Sequence, residues 1–144
     1  MARAAQPKQT AQPPSWNILI AEDDLKIRAQ LLKAFHHIAH CITVENGEEA
    51  LKAYQKAIKK KQPFDFILLD VTMPNVNGFQ VLKTVRANEE NLENSSLKPA
   101  RIIMITAYKD SLMENYNLGW DEYMTKPVNT EILIIKMKQM MGNC

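Results

Sequence analysis

Apolar positions along the chain repeat with two different periods, and the two alternate. Asn17–Ala21 is a short run of strand-forming residues that stops at Glu22-Asp23-Asp24. Ile27, Leu31, Phe35 and Ile38 then recur at helical spacing. Ile42-Thr43-Val44 predicts a second strand, Asn46-Gly47 a turn, and Ala50, Leu51, Tyr54, Ala57 and Ile58 a second helix. Phe64 to Leu69 is nearly continuous in apolar residues and runs into Asp70. Gly78 opens a helix with Val81, Leu82 and Val85 on one face, and the polar stretch NEENLENSSLKP predicts a loop. Arg101 to Ile105 predicts a fourth strand that ends at Thr106. Asp110 is placed to cap a short helix from Ser111 that Gly119 closes. Glu122-Tyr123-Met124 gives a fifth strand, and Thr130 to Met141 a last helix.

Five strands alternating with five helices predict an α/β fold, a (βα)5 chain with a five-stranded parallel sheet covered on both faces. Right-handed crossovers make that sheet doubly wound, of the flavodoxin-like kind. The first, third and fourth strands lack polar alternation, as buried parallel strands should. Residues 1–15, rich in Ala, Gln and Pro, are expected to be a flexible tail or linker, and residues 16–144 a single domain.

Composition narrows the class. The chain has 144 residues, 46% hydrophobic and 24% charged, which suits one globular domain and excludes the disordered, coiled-coil and membrane classes. No apolar run is long enough for a spanning helix, and no apolar leader is visible, so no membrane role is expected. Two cysteines, Cys41 and Cys144, are too few for a disulfide scaffold, and a cytoplasmic location is the expectation. The net charge of +2 comes from Arg3 and Lys8, since residues 16–144 carry equal numbers of acids and bases. That balance gives no support to direct nucleic-acid binding. The run Lys59-Lys60-Lys61 reads as a helix end whose dipole it complements.

In such a sheet, ligands bind outside the carboxyl ends of the strands. Those ends carry Glu22, Asp23 and Asp24, then Asp70, then Thr106, then Lys126-Pro127. Clustered carboxylates repel unless a cation joins them or some are protonated. An all-oxygen cluster suits a hard ion such as Mg²⁺. A lysine and a threonine beside it suit a phosphoryl group. A carboxylate can be a nucleophile toward phosphorus, so the chemistry suggests Mg²⁺-dependent phosphoryl transfer onto an aspartate.

From about Asn17 to about Met141 the chain resembles the receiver domain of two-component response regulators. The resemblance rests on ILIAEDD, NGEEAL, DVTMPNVNG, IIMITA and GWDEYMTKPVN, in that order. It implies that Asp70 is the phosphoacceptor, with Thr106 and Lys126 serving the phosphoryl oxygens. It implies a metal site of Asp23, Glu22 (largely through water), Asp70 and the Thr72 backbone carbonyl. It also implies a cis bond before Pro127 and a phosphoryl donor that is a histidine kinase, a phosphotransfer protein or a small donor such as acetyl phosphate. Phosphorylation would place roughly −1.5 to −2 charge at Asp70. Thr106 would then move and Tyr123 swing in behind it, altering the surface of the last two helices and the fifth strand, with Leu112, Met113, Trp120 and Met137 as candidates. That surface would meet a downstream effector or form a homodimer. Thr72 and Tyr108 stand where this family sets the lifetime of the phosphoryl group. The chain is then a signalling switch rather than an enzyme, either a single-domain regulator or a receiver from a longer protein.

Other readings are weaker. A phosphorylation-independent interaction module would lack an acid, Thr106 or Lys126, and none is missing. An aspartate-dependent phosphatase would place a second Asp where Thr72 stands. His36, His37 and His40 have metal-like helical spacing but read as a solvated helix end, and Asp24 reads as a helix N-terminal acid.

Overall fold

The computed structural model describes residues 16–73, 75–92 and 97–142. Five strands, β1 (Trp16–Ala21), β2 (Ala39–Val44), β3 (Phe66–Asp70), β4 (Arg101–Thr106) and β5 (Glu122–Thr125), pair in parallel in the order β2-β1-β3-β4-β5. Between and after them run α1 (Leu25–Phe35), α2 (Gly47–Lys59), α3 (Gly78–Glu90), α4 (Lys109–Met113) and α5 (Thr130–Met140). A one-turn 3-10 helix, Tyr116–Leu118, follows α4 and ends at Gly119 in the left-handed region. This is the doubly wound sheet predicted from the alternation of periods.

Side chains alternate across each strand, so each central strand feeds two cores. Ile18, Ile20, Phe66, Leu68, Ile103 and Ile105 pack with Leu31 and Phe35 of α1 and with Leu133 and Met137 of α5. Leu19, Ala21, Ile67, Leu69, Ile102 and Met104 pack with Ala50 and Tyr54 of α2, with Val81, Leu82 and Val85 of α3, and with Leu112 of α4. Burial on both faces explains why these strands carry no polar alternation.

Four helices begin on an Asx cap, which supplies an acceptor to otherwise orphaned N–H groups. Asp24 accepts from Lys26 and Ile27, Asn46 from Glu49, and Asn129 from Ile132. Asn77 and Gln80 form a reciprocal capping box at α3. The expected turn at Asn46-Gly47 is thus the start of α2. Asp24 acts as foreseen, at a helix N-terminus.

Several boundaries differ from the sequence pattern. The helix α1 stops at Phe35, because β2 takes up its register with β1 at Ala39, opposite Trp16. His40 therefore lies on a strand, and the three histidines have no common helical spacing. Asn88, Glu89 and Glu90, predicted as loop, continue α3. Tertiary bonds hold that last turn: Arg86 donates to the carbonyls of Gly119 (2.9 Å) and Ala100 (2.8 Å) and pairs with Glu89 (2.6 Å) and Asp121 (2.8 Å). Glu89 in turn accepts from the Ala100 N–H at 2.7 Å, which ties α3 to the start of β4. Asp110 does not cap α4, which begins two residues earlier than expected, at Lys109, with Tyr108 at the cap position and no side-chain cap bond. Leu112 and Met137 are core residues rather than surface, since both side chains point to the sheet. The expected tail, residues 1–15, lies outside the described residues, as do residues 93–96 of the predicted loop and Cys144.

The loop after β3 is held by close backbone approach. The Gly78 N–H donates to the Val71 carbonyl at 3.0 Å. A Cβ on Gly78 would collide with the backbone carbonyl of Asp70, and one on Gly47 would collide with that of Val76. Neither neighbour is a side-chain end that can swing away, so overpacking falls on the backbone. Gly78→Ala is expected to destabilise the fold by about 1–3 kcal/mol, read as a lower urea midpoint at unchanged slope. An unchanged midpoint would show that the loop yields freely.

Candidate functional site

Four strand ends bring polar groups to one edge of an otherwise apolar sheet. Among the described residues, Glu22, Asp70 and Thr106 are the buried polar or charged ones, with Glu22 1% and Asp70 3% exposed. Glu22 follows β1 directly, and its N–H still reaches the Val44 carbonyl of β2 at 3.1 Å. Asp70 is the last residue of β3, and the ladder continues past it from the Val71 N–H to the Ile105 carbonyl at 3.0 Å. Lys126 follows β5, its N–H held by the Thr106 carbonyl at 2.8 Å, and the Lys126–Pro127 bond is cis.

The Lys126 ammonium lies 3.3 Å from Asp70 Oδ2 and 3.2 Å from Glu22 Oε1, and donates a hydrogen bond to Glu22 Oε2 at 3.4 Å. Asp70 Oδ1 accepts from the Thr72 N–H at 3.1 Å. Glu22 Oε2 also accepts from the Asp24 N–H at 3.1 Å. Glu22 Oε1, despite its nearness to Lys126, is buried and makes no hydrogen bond. Such an oxygen is costly in a dry site and points to an additional positive partner.

Glu22, Asp23 and Asp70 each offer one carboxylate oxygen within 4.8 Å of the others. Asp23 is exposed, so the cluster opens to solvent on its side. The donor set is oxygen only, charged and partly buried, and one of its oxygens lacks a hydrogen bond. It fits a hard divalent cation such as Mg²⁺. Burial raises the Asp70 carboxyl, the neighbouring Glu22 raises it further, and Lys126 and the Thr72 N–H only partly offset this, leaving it pushed up to about 8. Burial opposes the charge on Lys126, but Asp70 and Glu22 outweigh it and raise its pKa.

Thr106 Oγ1 turns from the carboxylates toward the following loop. It accepts from the Tyr108 N–H at 2.9 Å and donates to the Tyr108 carbonyl at 3.3 Å. Tyr123 is half-buried on β5, edge-on to Trp120 with ring centroids 5.6 Å apart, and the Lys109 ammonium lies 6.0 Å from its ring centre. Thr72 and Tyr108 are exposed, Tyr108 at 71%.

Two positioning residues escaped the sequence reading. Arg28 of α1 donates to the Glu22 carbonyl at 2.8 Å and pairs with Glu45 at 3.4 Å, fixing the acidic turn after β1. Gln30 donates to the Val128 carbonyl at 2.9 Å and ties α1 to the loop that carries Lys126. Arg28 follows Ile27 of the apolar pattern, and a charge beside that stripe was the signal available.

The raised Asp70 carboxyl has a definite pH signature. An unfolded chain ionises this group near 4, whereas the fold keeps its proton up to about 8. The folded state binds more protons across that window, so without a divalent cation stability falls as pH rises from about 4 to about 8. Asp70→Asn is expected to raise stability in EDTA at pH 8 by on the order of 2 kcal/mol, with little effect near pH 4. Thermal midpoints of the two proteins across this range check it, and equal pH slopes would refute the assignment.

Comparison with known proteins agrees with this geometry. The response regulator receiver domain family matches residues 18–138. The transcriptional regulatory protein CiaR of Streptococcus pneumoniae is 32% identical over 124 residues, covering 86% of this chain and 50% of CiaR. The chain thus spans about half the length of that relative. The chemotaxis protein CheY4 of Vibrio cholerae superposes with a TM-score of 0.71 at 28% identity, over 86% of this chain and 97% of CheY4. The receiver domain of Saccharomyces cerevisiae Ssk1, solved with the histidine phosphotransfer protein Ypd1, gives 0.75 at 26% identity, over 91% and 93%. With five parallel strands in this order and an acidic cluster, a threonine and a lysine at their carboxyl ends, the chain belongs to the response regulator receiver domain family.

Proposed function

We propose that the chain is a phosphoacceptor switch. Asp70 takes a phosphoryl group from a histidine kinase or a histidine phosphotransfer protein in a Mg²⁺-dependent reaction, and the resulting charge resets the α4–β5–α5 surface for a downstream effector. The observation that carries this reading is the convergence of Asp70, Glu22 and Lys126 in one buried crevice, with Lys126 within 3.4 Å of both carboxylates.

In the proposed reaction an Asp70 carboxylate oxygen attacks phosphorus in line, and the phosphorus–nitrogen bond of the donor histidine breaks. The leaving imidazole keeps the bond electrons and picks up a proton. The product is an acyl phosphate that water later hydrolyses, regenerating Asp70. The transition state is loose, so catalysis is mostly positioning and charge neutralisation. The Thr72 N–H fixes one Asp70 oxygen and the Lys126 ammonium faces the other. Glu22, Asp23, Asp70 and the Thr72 carbonyl would hold Mg²⁺, which supplies positive charge to the transferring phosphoryl oxygens. Burial by the surrounding strand ends limits access of water to the acyl phosphate.

Switching follows from the partners of Thr106. Its hydroxyl is committed to Tyr108, so turning to a phosphoryl oxygen breaks both of those bonds and frees the loop before α4. Tyr123 can then leave Trp120 and fill the space behind Thr106. Such a coupling is typically worth about 1–3 kcal/mol. The Ssk1 receiver, solved with a phosphotransfer protein, supports a donor of that class. Among the described residues no helix is long and apolar enough to cross a membrane.

Incubation with acetyl phosphate and Mg²⁺ is expected to add the mass of one phosphoryl group, and EDTA or Asp70→Asn to abolish the gain. No gain, together with no binding of beryllofluoride, would turn the reading toward a phosphorylation-independent interaction module. Tyr108 is expected to shield the acyl phosphate. Tyr108→Ala should shorten its lifetime by about twofold to tenfold, less than 1.4 kcal/mol of barrier. An unchanged decay of radiolabelled phosphoprotein would remove Tyr108 from that role.

A further inference from the structure

A second surface lies toward the other end of the sheet. Among the described residues β2 is the edge strand, with no strand on its outer side. Beside it runs a groove of about 400 Å³, between β2 and α2. Its floor is Ile42, Ala53, Ala57 and Phe64, and its rim is Lys52, Lys56 and Lys60. Ile42 points to the α2 side of the sheet, yet it stays 51% exposed, because the small Ala53 and Ala57 leave the helix too narrow to cover it. An isoleucine in this position on a strand is normally buried by its crossover helix.

The rim is one-signed. Residues 50–64 hold five lysines and no acid. Lys52, Lys56 and Lys60 follow one another at successive turns. Among the described residues none of these lysines takes part in an ion pair, whereas Arg28, Arg86, Lys126 and Lys136 all do. Lys56 and Lys59 lie in the last turn of α2, where they also answer the helix dipole. Lys52 lies a turn earlier, outside the reach of that effect and four residues after Glu48, with which it makes no ion pair among the described residues, and like charges at successive turns along Lys52, Lys56 and Lys60 cost stability. The chain's own first fifteen residues carry Arg3 and Lys8 and no acid, the wrong charge to oppose them.

We propose that this groove docks an acidic segment of a partner protein, with interspersed apolar side chains set over Ile42 and carboxylates against Lys52, Lys56 and Lys60. The apolar floor favours a peptide over nucleic acid, which would need basic charge together with stacking or groove-reading groups. The site is separate from the Asp70 crevice and stands whether or not Asp70 is phosphorylated.

The test is fluorescence anisotropy of the whole chain with a labelled peptide of glutamates and interspersed leucines, beside a labelled single-stranded DNA and phosphatidylserine vesicles. Saturable peptide binding is expected. It should weaken at least about tenfold in Lys52→Glu/Lys56→Glu, where attraction becomes repulsion, and a few-fold as salt rises from about 0.05 to 0.3 M. Lys83→Glu/Lys138→Glu, with the same change in net charge on other helices, should bind as the unaltered chain does. Ile42→Asn should lose about fivefold through the floor alone. All these side chains are exposed, and circular dichroism checks that the variants fold. Peptide binding that ignores Lys52 and Lys56, no peptide binding at millimolar concentration, or lysine-dependent binding of DNA or vesicles in place of the peptide would each overturn the proposal.

Discussion

Everything at the carboxyl edge of the sheet depends on one electrostatic constraint. Three carboxylates from two strand ends are held within a few ångströms of one another, two of them buried, against the single ammonium of Lys126. One cation cannot balance three anions in a site of low dielectric. Part of the answer is that Asp70 keeps a proton to unusually high pH, beside the carboxylate of Glu22. A protonated carboxyl is a poor nucleophile. The charge that would discharge the proton and the charge that would steady a phosphoryl group are therefore the same charge. In the proposed reaction, metal dependence and nucleophilicity would be one property of the cluster.

The strain is tolerable because the strands beneath are among the most buried parts of the chain. β1, β3 and β4 are clamped between two apolar cores, and the ladders of β1, β3 and β5 each continue one residue past the strand into the site. The backbone beneath Glu22, Asp70 and Lys126 is therefore fixed by hydrogen bonds that do not involve the charged groups. Arg28 and Gln30 add ties from α1 to the turns on either side. The freedom left to the site lies on the other flank, where Thr106 and the exposed Tyr108 meet the five-residue α4. A rigid acidic floor beside a lightly held loop is what a charge-driven switch requires.

The pattern of periods made the architecture legible, because the number of residues between strands and the doubly buried runs leave few topologies. The site was legible for the same reason: in this class of sheet the residues that end strands converge, so Glu22, Asp23, Asp70, Thr106 and Lys126 were identifiable without contacts. What stayed hidden came from interactions between distant segments. The extra turn of α3 depends on Arg86 reaching Ala100, Gly119 and Asp121, partners that no local window contains. The end of α1 is set by the register of β2 on β1, which overrides the apolar spacing at Ile38. Leu112 and Met137 looked like surface candidates because short or strongly apolar helices do not declare which side faces the sheet.

In the proposed switch, the Tyr123–Trp120 contact would belong to the unphosphorylated arrangement. Trp120 is half-buried, packs against the α2–α3 core, and its indole N–H is buried without an acceptor. An unpaired donor of that kind costs about 1–3 kcal/mol relative to a hydrogen-bonded one. The edge-on ring contact with Tyr123 and the nearby Lys109 ammonium return part of that in the resting arrangement. A Tyr123 that swings toward Thr106 gives up both contacts, but also uncovers the Trp120 N–H to water or to a partner. In the proposed switch, the two arrangements of β5 would differ by a few small opposing terms rather than one large one. Under that proposal a single charged group at Asp70 would have only these small terms to outweigh.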